Sequence, residues 1–302
     1  MKTLLEVLQA GTDYLTRQGC DEARATMQHL MAHVLHCNRT ALYSQFDRPI
    51  EEAQLAPLRQ LLKRKAEGVP LQHLLGYTEF FRRDFLTDAR ALIPRPETEE
   101  LVELVLKKIP AHPVRILDMG TGSGIIGVTL ALELKERAKE IVLADISSQA
   151  LDLALENALR LGAKVSTIQT DLFENIPPAP PLLQTQEKQD GSISEENGQT
   201  ETSQRFDVIV ANLPYIADGE ELAPEVLNDP HTALFGGPKG WEIIERFLAQ
   251  ARNYLTENGF VALEIGYDQA TIVTQILDGY GYNYIEVLKD MSGIARFPFG
   301  YR

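Results

Sequence analysis

The stretch "LDMGTGSGIIG", residues 117–127, places a glycine-rich turn between an apolar segment and the start of a helical pattern. Glycines at 120, 122 and 124 let the backbone approach a ligand closely, and the first turn of the helix offers free N–H groups. A strand, a glycine loop and a helix in this order are typical of cofactor sites in α/β sheets. A dinucleotide site has a similar loop, so this stretch by itself leaves the ligand open.

Acidic residues follow at the ends of the next two predicted strands. Asp145 ends the strand "EIVLADIS" 25 residues after Gly120, where a carboxylate can accept hydrogen bonds from ribose hydroxyls. The third strand ends in "TDLF", in which Asp171 can accept from an adenine amino group, with Leu172 and Phe173 as apolar walls. The predicted cofactor-binding residues are Asp118, Gly120, Thr121, Gly122, Ser123, Gly124, Asp145, Asp171, Leu172, Phe173 and Asn212.

The fourth predicted strand, "FDVIV", ends in "ANLPYI", residues 211–216. Asn212 offers an amide oxygen, Pro214 a fixed backbone and Tyr215 an aromatic face, all at one strand end. Ligands in open α/β sheets bind at the carboxyl ends of the strands, where the glycine loop also lies. A turn that merely ends the strand is the alternative interpretation.

Strands and helices alternate from residue 114 onward, which predicts a mostly parallel sheet covered on both faces. The first predicted helix of this part runs from Ile125 to Ala138. Before it, from Leu4 to about Ala66, apolar residues recur at helical spacing and predict a small helical bundle. The predicted domains are a helical domain over 1–70, a linker with short strands over 71–95, and an α/β domain over 96–302.

Residues 174–204 interrupt the alternation with six acids, one lysine and little that could form a core. We expect a disordered surface insertion there, and a partner-binding segment is the alternative. The loops "IPRPETE", residues 93–99, and "DPHTALFGG", residues 229–237, are each either part of a substrate cleft or a plain connector.

Charge and cysteine content limit the functions and the cellular compartment that we expect for this protein. The net charge of −14 argues against broad, sequence-blind binding of DNA or RNA, and the first 90 residues are nearly neutral, with 12 basic and 11 acidic residues. Cys20 and Cys37 do not make a disulfide framework, so a reducing cytoplasm is expected. The sequence has neither a signal-peptide core nor an apolar run long enough to span a membrane.

The order of the motifs resembles that of class I S-adenosylmethionine-dependent methyltransferases, and "NLPY" resembles the (N/D/S)PP(Y/F/W) motif of enzymes that methylate amide or amino nitrogen. Longer segments resemble the PrmC/HemK family, from about residue 60 to the C-terminus with the insertion excepted. These segments are "GVPLQHLLGYTEFF", "LIPRPETEELVE", "DMGTGSG", "NLPYI", "NDPHTALFGG", "LEIGYDQA" and "VLKDMSGIARF".

The resemblance implies a Rossmann-like methyltransferase domain that uses S-adenosylmethionine to methylate the glutamine of the GGQ loop in peptide chain release factors. The helical domain would grip the release factor, and we expect a monomer that binds neither nucleic acid nor membrane. The Asn212 side-chain oxygen and the Leu213 carbonyl would each accept one N–H of the glutamine amide, with Tyr215 stacked on it and Pro214 holding the turn. Position 213 is leucine where the family usually has proline, and we expect activity to survive because leucine keeps the carbonyl.

Other functions share part of this pattern. Adenine-N6 or other nucleic-acid amino methylation uses the same strand-end motif but expects a basic target-recognition domain. A binding module that merely retains the fold is a second alternative, and a nicotinamide dehydrogenase, whose fingerprint is G-x-G-x-x-G, is a distant third. A zinc site is rejected, because its candidate ligands lie on an amphipathic core helix without a second ligand pair; they are His29, His33, His36 and Cys37.

Overall fold

The computed structural model describes residues 2–178, 205–223 and 225–302, which divide into two compact units. The helical unit comprises the chain up to Thr78 together with Thr87–Ala89 and Glu221–Asp229. The sheet unit comprises Glu79–Leu86, Arg90–Glu220 and Pro230–Arg302. The predicted domains were continuous in sequence, whereas the helical unit includes a segment from far along the chain.

Amphipathic helices build the helical unit around one apolar core. Thr3 caps the first helix in a capping box with Glu6, which satisfies backbone N–H groups at the helix start. Leu4, Met27 and Leu30 are fully buried in the core, as their helical spacing predicts. The helices are α1 Leu4–Arg17, α2 Ala23–Val34, α3 Arg39–Leu42, α4 Glu52–Ala66 and α5 Leu71–Leu75.

An ion pair joins the late segment to the rest of the helical unit. The ammonium of Lys65 is buried and contacts the carboxylate of Glu225. Nearby, the side chain of Asn228 donates to the carbonyl of Gly68 at 3.1 Å. Because an unpaired buried charge is costly, Lys65 requires this partner.

A seven-stranded sheet is the centre of the sheet unit, with strand order β10-β11-β9-β6-β3-β4-β5. Five strands (β3, β4, β5, β6 and β9) are parallel, and β11 and β10 add an antiparallel edge. The mostly parallel sheet predicted from the sequence is confirmed. These strands are β3 Val114–Met119, β4 Ala138–Asp145, β5 Ser166–Gln169, β6 Phe206–Ala211, β9 Leu255–Leu263, β10 Tyr284–Lys289 and β11 Ala295–Tyr301.

The remaining described elements are two short sheets and the helices that follow β2. Two short two-stranded sheets pair β1 Tyr77–Phe80 with β2 Arg83–Leu86 and β7 Ile216–Ala217 with β8 Phe235–Gly237. The helices are α6 Pro96–Lys108, α7 Ile125–Leu134, α8 Ser148–Leu161, α9 His231–Leu234, α10 Glu242–Ala251 and α11 Ala270–Gly279.

Helix α7 is shorter than predicted. It ends at Leu134, and after one 3₁₀ turn Ala138 opens β4 and pairs with Val114 of β3. The residues between them are good helix formers, which is why the sequence pattern continued the helix to Ala138. Pairing in the sheet overrides that local preference.

The central strands bury both of their faces. Along β6, Val208 and Val210 pack in one core cluster and Ile209 packs in the other, on the opposite face of the sheet. This alternation explains the nearly continuous apolar runs in the sequence, because a parallel strand covered by helices has no solvent face.

The predicted insertion over 174–204 lies mostly outside the described residues, which resume at Arg205. Its beginning differs from the prediction, because Ile176 is buried in the same core cluster as Phe173. Among the described helices, none is both long and apolar enough to cross a membrane.

Candidate functional site

A cavity of about 330 Å³ opens in the sheet unit at the carboxyl ends of β3, β4 and β6. Strand β4 follows β3 on one side and β6 lies on the other, so the strand order reverses at this point. Crevices at such reversals are the usual ligand sites of open α/β sheets. Predicted site residues that line the cavity are Gly120, Thr121, Gly122, Ser123, Asp145, Asp171, Leu172, Asn212, Leu213 and Pro214.

The three glycines of the loop all have positive φ but serve different purposes. A Cβ on Gly124 would lie 3.0 Å from the Cβ of Ala154, so this glycine lets helix α8 pack closely. A Cβ on Gly120 would lie 2.9 Å from Cδ2 of Leu213. Gly122 has open space around it, with only the Cβ of Ala91 at 3.8 Å. Gly124, predicted to bind the cofactor, does not line the cavity, whereas Gly120 and Gly122 do.

Asp118, predicted to bind the cofactor, lies behind the loop and does not line the cavity. It is fully buried, and its Oδ2 accepts from the Thr121 hydroxyl at 2.6 Å and from the Gly127 N–H at 2.8 Å. Burial raises the pKa of Asp118 to about 6, against the effect of these two hydrogen bonds. Asp118 thus braces the turn from loop to helix.

Asp145 lies on the cavity wall at the end of β4. Its Oδ2 accepts from the Gly122 N–H and its Oδ1 from the Ser147 N–H, both at 2.9 Å. Burial raises the pKa of Asp145 above the ordinary range of an aspartate. Because a carboxylate has about four acceptor positions, two hydrogen bonds leave capacity for hydroxyl groups of a ligand.

Of the three residues predicted to contact adenine, two line the cavity and the third packs in the core. Asp171 and Leu172 line the cavity, and Oδ2 of Asp171 accepts from Arg246 at 3.0 Å. Phe173 does not line the cavity. Its ring stacks on those of Tyr254 and Phe247, with centroid distances of 4.5 and 5.7 Å, on the core side of the motif.

The strand end "NLPY" supplies three residues to the cavity and turns the fourth away. Asn212, Leu213 and Pro214 line it, whereas Tyr215 packs against the core cluster on the α10 side of the sheet. Burial, and next the charge of Glu264, raises the pKa of Tyr215 to about 12. Tyr215, predicted to stack on a substrate, thus does not line the cavity in this structure.

Two glycines missed by the sequence analysis hold the "NLPY" turn in place. A Cβ on Gly236 would lie 2.4 Å from the Pro214 carbonyl oxygen, and one on Gly240 would lie 2.5 Å from that of Tyr215. The Gln269 side chain donates to the same Tyr215 oxygen at 2.8 Å. The glycines of "FGGPKG" were the available signal, since such close backbone approach excludes a side chain.

A hydrogen-bonded chain also missed by the sequence analysis supports Asn212. Its Nδ2 donates to Oγ1 of Thr98 at 3.2 Å, and the Thr98 hydroxyl donates to Oε2 of Glu264 at 2.7 Å. Thr98 and Glu264 are both buried. An acid inside the apolar strand "GFVALEIG" was the only signal of this arrangement in the sequence.

The two loops that the sequence could not assign to either a substrate cleft or a plain connector both contribute to the cavity wall. Pro94 and Arg95 belong to the "IPRPETE" segment, and His231 and Phe235, whose rings stack 4.4 Å apart, belong to "DPHTALFGG". Their position favours a role in the cleft over that of plain connectors.

Glu264 gives the sheet unit a stability that depends on pH. Burial raises its pKa from 4.5 to about 7, so the energetic cost of its charge is absent at low pH and develops as pH rises toward 7. Glutamine stays neutral, so the stability of Glu264→Gln relative to wild type should increase by about 3 kcal/mol between acidic pH and about pH 8.

Urea unfolding of both proteins at these two pH values measures this change. Glu103→Gln, at an exposed position of α6, is the matched control and should show no such trend. A difference between Glu264→Gln and wild type that is the same at both pH values would contradict the burial of a titrating Glu264.

The histidines considered for zinc are placed in the helical unit, where Nε2 of His29 lies 3.0 Å from Nη1 of Arg39. Burial lowers the pKa of His29. Within residues 2–178, 205–223 and 225–302, no group of three or more His, Cys, Asp or Glu side chains is arranged to hold a metal ion.

Comparison with known proteins matches two family models. The PrmC N-terminal domain matches residues 6–76, and the methyltransferase small domain matches residues 98–180. The release factor glutamine methyltransferase of Geobacter sulfurreducens is 36% identical over 99% of this chain and 96% of its own. That of Bacillus cereus is 33% identical over 97% of both chains. A solved ribosomal protein L11 methylase from Lactobacillus delbrueckii subsp. bulgaricus is 23% identical, covering 74% of this chain and 88% of that one, with a TM-score of 0.45.

Proposed function

This chain belongs to the release factor glutamine methyltransferase family, and we propose that it methylates the side-chain amide nitrogen of the GGQ glutamine in a peptide chain release factor. S-adenosylmethionine is the methyl donor. The observation that carries the proposal is the position of Asn212, held at the carboxyl end of β6 on the wall of the cavity that the glycine loop also lines.

The residues around the cavity fit S-adenosylmethionine. Gly122 leaves open space where a side chain would stand, so the loop backbone can lie against the ligand. Asp145 has acceptor capacity for ribose hydroxyls, and Asp171 and Leu172, which line the same cavity, would contact the adenine in this proposal. When bound, the cofactor supplies a methyl group on a sulfonium, which is already activated for transfer.

The chemical difficulty lies with the nucleophile. A carboxamide nitrogen is weakly nucleophilic because its lone pair is delocalised into the carbonyl. Asn212 Oδ1 and the Leu213 carbonyl can each accept one N–H of that amide, which holds the nitrogen in place for attack. Their partial negative charges also stabilise the positive charge that develops on nitrogen as the new bond forms.

Leu213 provides the carbonyl that this scheme needs in place of the usual proline. Its side chain is buried, with Cδ2 next to Gly120, so packing holds the turn at this position. Pro214 follows it with a fixed backbone angle. The amide proton leaves for water after transfer in this scheme, without a general base on the enzyme.

Mass spectrometry tests the proposal. Purified release factor is incubated with the enzyme and S-adenosylmethionine, and its GGQ peptide should gain the mass of one methyl group replacing a hydrogen. Duplex DNA and RNA are incubated in parallel with tritium-labelled cofactor. Label in nucleic acid, with an unchanged release factor, would favour the adenine-N6 alternative and refute the proposal.

A further inference from the structure

We infer that Thr98 and Glu264 are positioning residues, which fix the Asn212 side chain with its amide oxygen, rather than its NH₂ group, presented to the cavity. The inference rests on the proposed function, because this orientation matters only if the amide oxygen must accept a substrate N–H. Neither residue is placed to touch the reacting atoms; each acts through Asn212.

The argument starts from the single hydrogen of the Thr98 hydroxyl. Oγ1 of Thr98 lies 2.7 Å from Oε2 of Glu264, and an ionised carboxylate can only accept, so the hydroxyl hydrogen points to Glu264. The lone pairs of Oγ1 then remain for Asn212, at 3.2 Å, and only the NH₂ end of the amide can donate to them. The amide oxygen is therefore directed away from Thr98.

Burial helps these hydrogen bonds to hold one orientation of the Asn212 amide. Thr98 is 0% exposed and Glu264 is 1% exposed, so water does not compete for either group. The three residues come from different elements of the sheet unit, with Thr98 in α6, Asn212 after β6 and Glu264 after β9. Glu264 is itself tied to β6, since its backbone N–H donates to the Ala211 carbonyl at 3.1 Å.

The wrong orientation of Asn212 would place donors against donors. A glutamine substrate presents the two N–H groups of its amide, and an Asn212 that offered its own NH₂ group could not accept from either. The substrate nitrogen would then lose one of the two acceptors that hold it. Misplacement of this kind lowers rates by up to about 100-fold.

The charge state of Glu264 decides which groups donate and which accept in the hydrogen bonds that join Asn212, Thr98 and Glu264. The charged and titratable groups that face it are Arg296 of β11, Glu97 of α6 and Tyr215 of the strand-end turn. Burial is the largest influence and raises the pKa of Glu264 to about 7. A protonated Glu264 can donate to Thr98, which frees the Thr98 hydrogen to donate to Asn212 and favours the reversed amide. We therefore expect kcat to rise with pH through about 7.

Substitution of Thr98 tests the inference. Thr98→Val has nearly the same shape without the hydroxyl and should lower kcat for release-factor methylation by about 10- to 100-fold, with the Kd for S-adenosylmethionine little changed. Thr98→Ser keeps the hydroxyl and should restore kcat to within about threefold of wild type.

Thr129→Val is the matched control, because Thr129 is equally buried, lies outside the cavity lining, and makes no hydrogen bond through its Oγ1 to any of the described residues. Its kcat should equal that of wild type.

Nuclear magnetic resonance of the Asn212 side-chain amide gives a readout that does not require activity. Its proton signals should shift with an apparent pKa of about 7 in wild type and lose that transition in Glu264→Gln, whose kcat should also lose its rise near pH 7. The inference is overturned if the wild-type signals do not titrate or if Thr98→Val matches wild type in kcat. A wild type that fails to methylate release factor refutes the proposed function instead, while the titration of these signals still decides the orientation of Asn212.

Discussion

Replacing Asn212 with alanine is expected to lower kcat for release-factor methylation by about 1,000-fold. Asn212 supplies one of two acceptors for the glutamine amide, and the change also leaves the Thr98 hydroxyl without its donor. Both the placement of the nitrogen and the stabilisation of its developing charge are lost together. The effect should fall on kcat rather than on cofactor affinity, since the glycine loop and Asp145 are untouched.

Single-turnover methylation measures the rate, and calorimetry with S-adenosylmethionine measures the Kd, which should change by less than about threefold for Asn212→Ala. Asn175→Ala is the matched control. Asn175 also donates through Nδ2, to the Gln169 carbonyl at 2.9 Å, but does not line the cavity. Asn212→Ala with a normal rate would remove the acceptor scheme altogether.

The edge of the sheet at which the site lies could be predicted from the sequence. Gly122, Asp145, Asp171 and Asn212 each follow a predicted parallel strand, and parallel strands place their carboxyl ends at one edge. Chain order along such strands therefore translates directly into spatial proximity.

The face on which each side chain lies was predicted less well. Asp118 lies two residues after Ile116 in β3, so its side chain is on the same face as that buried residue, beneath α7 rather than in the cavity. Phe173 and Tyr215 were placed in the cavity because their motifs end there. Phe173 instead belongs to a core cluster and Tyr215 packs against it, which buries the large apolar surface of both rings.

The support of Asn212 could not be predicted from local patterns. Thr98 and Glu264 are 166 residues apart in sequence and meet only when α6 and β9 pack together. Thr98 lies in the first turn of α6, and a position near a helix start is an ordinary local place for a threonine. A side chain with a plausible local role gives no sign of a long-range partner.

Replacing Asp145 with alanine is expected to raise the Kd for S-adenosylmethionine by about 100-fold, because it removes the ribose acceptor together with its hydrogen bonds to Gly122 of the glycine loop and to Ser147. Calorimetry without release factor measures this directly. The 2′-deoxy form of the cofactor separates the two causes: wild type should bind it more weakly than the parent, and Asp145→Ala should not discriminate between them. Asp152→Ala, at an exposed position of α8, is the matched control and should bind both forms like wild type. Equal binding of the two forms by wild type would show that Asp145 braces the loop without contacting that hydroxyl.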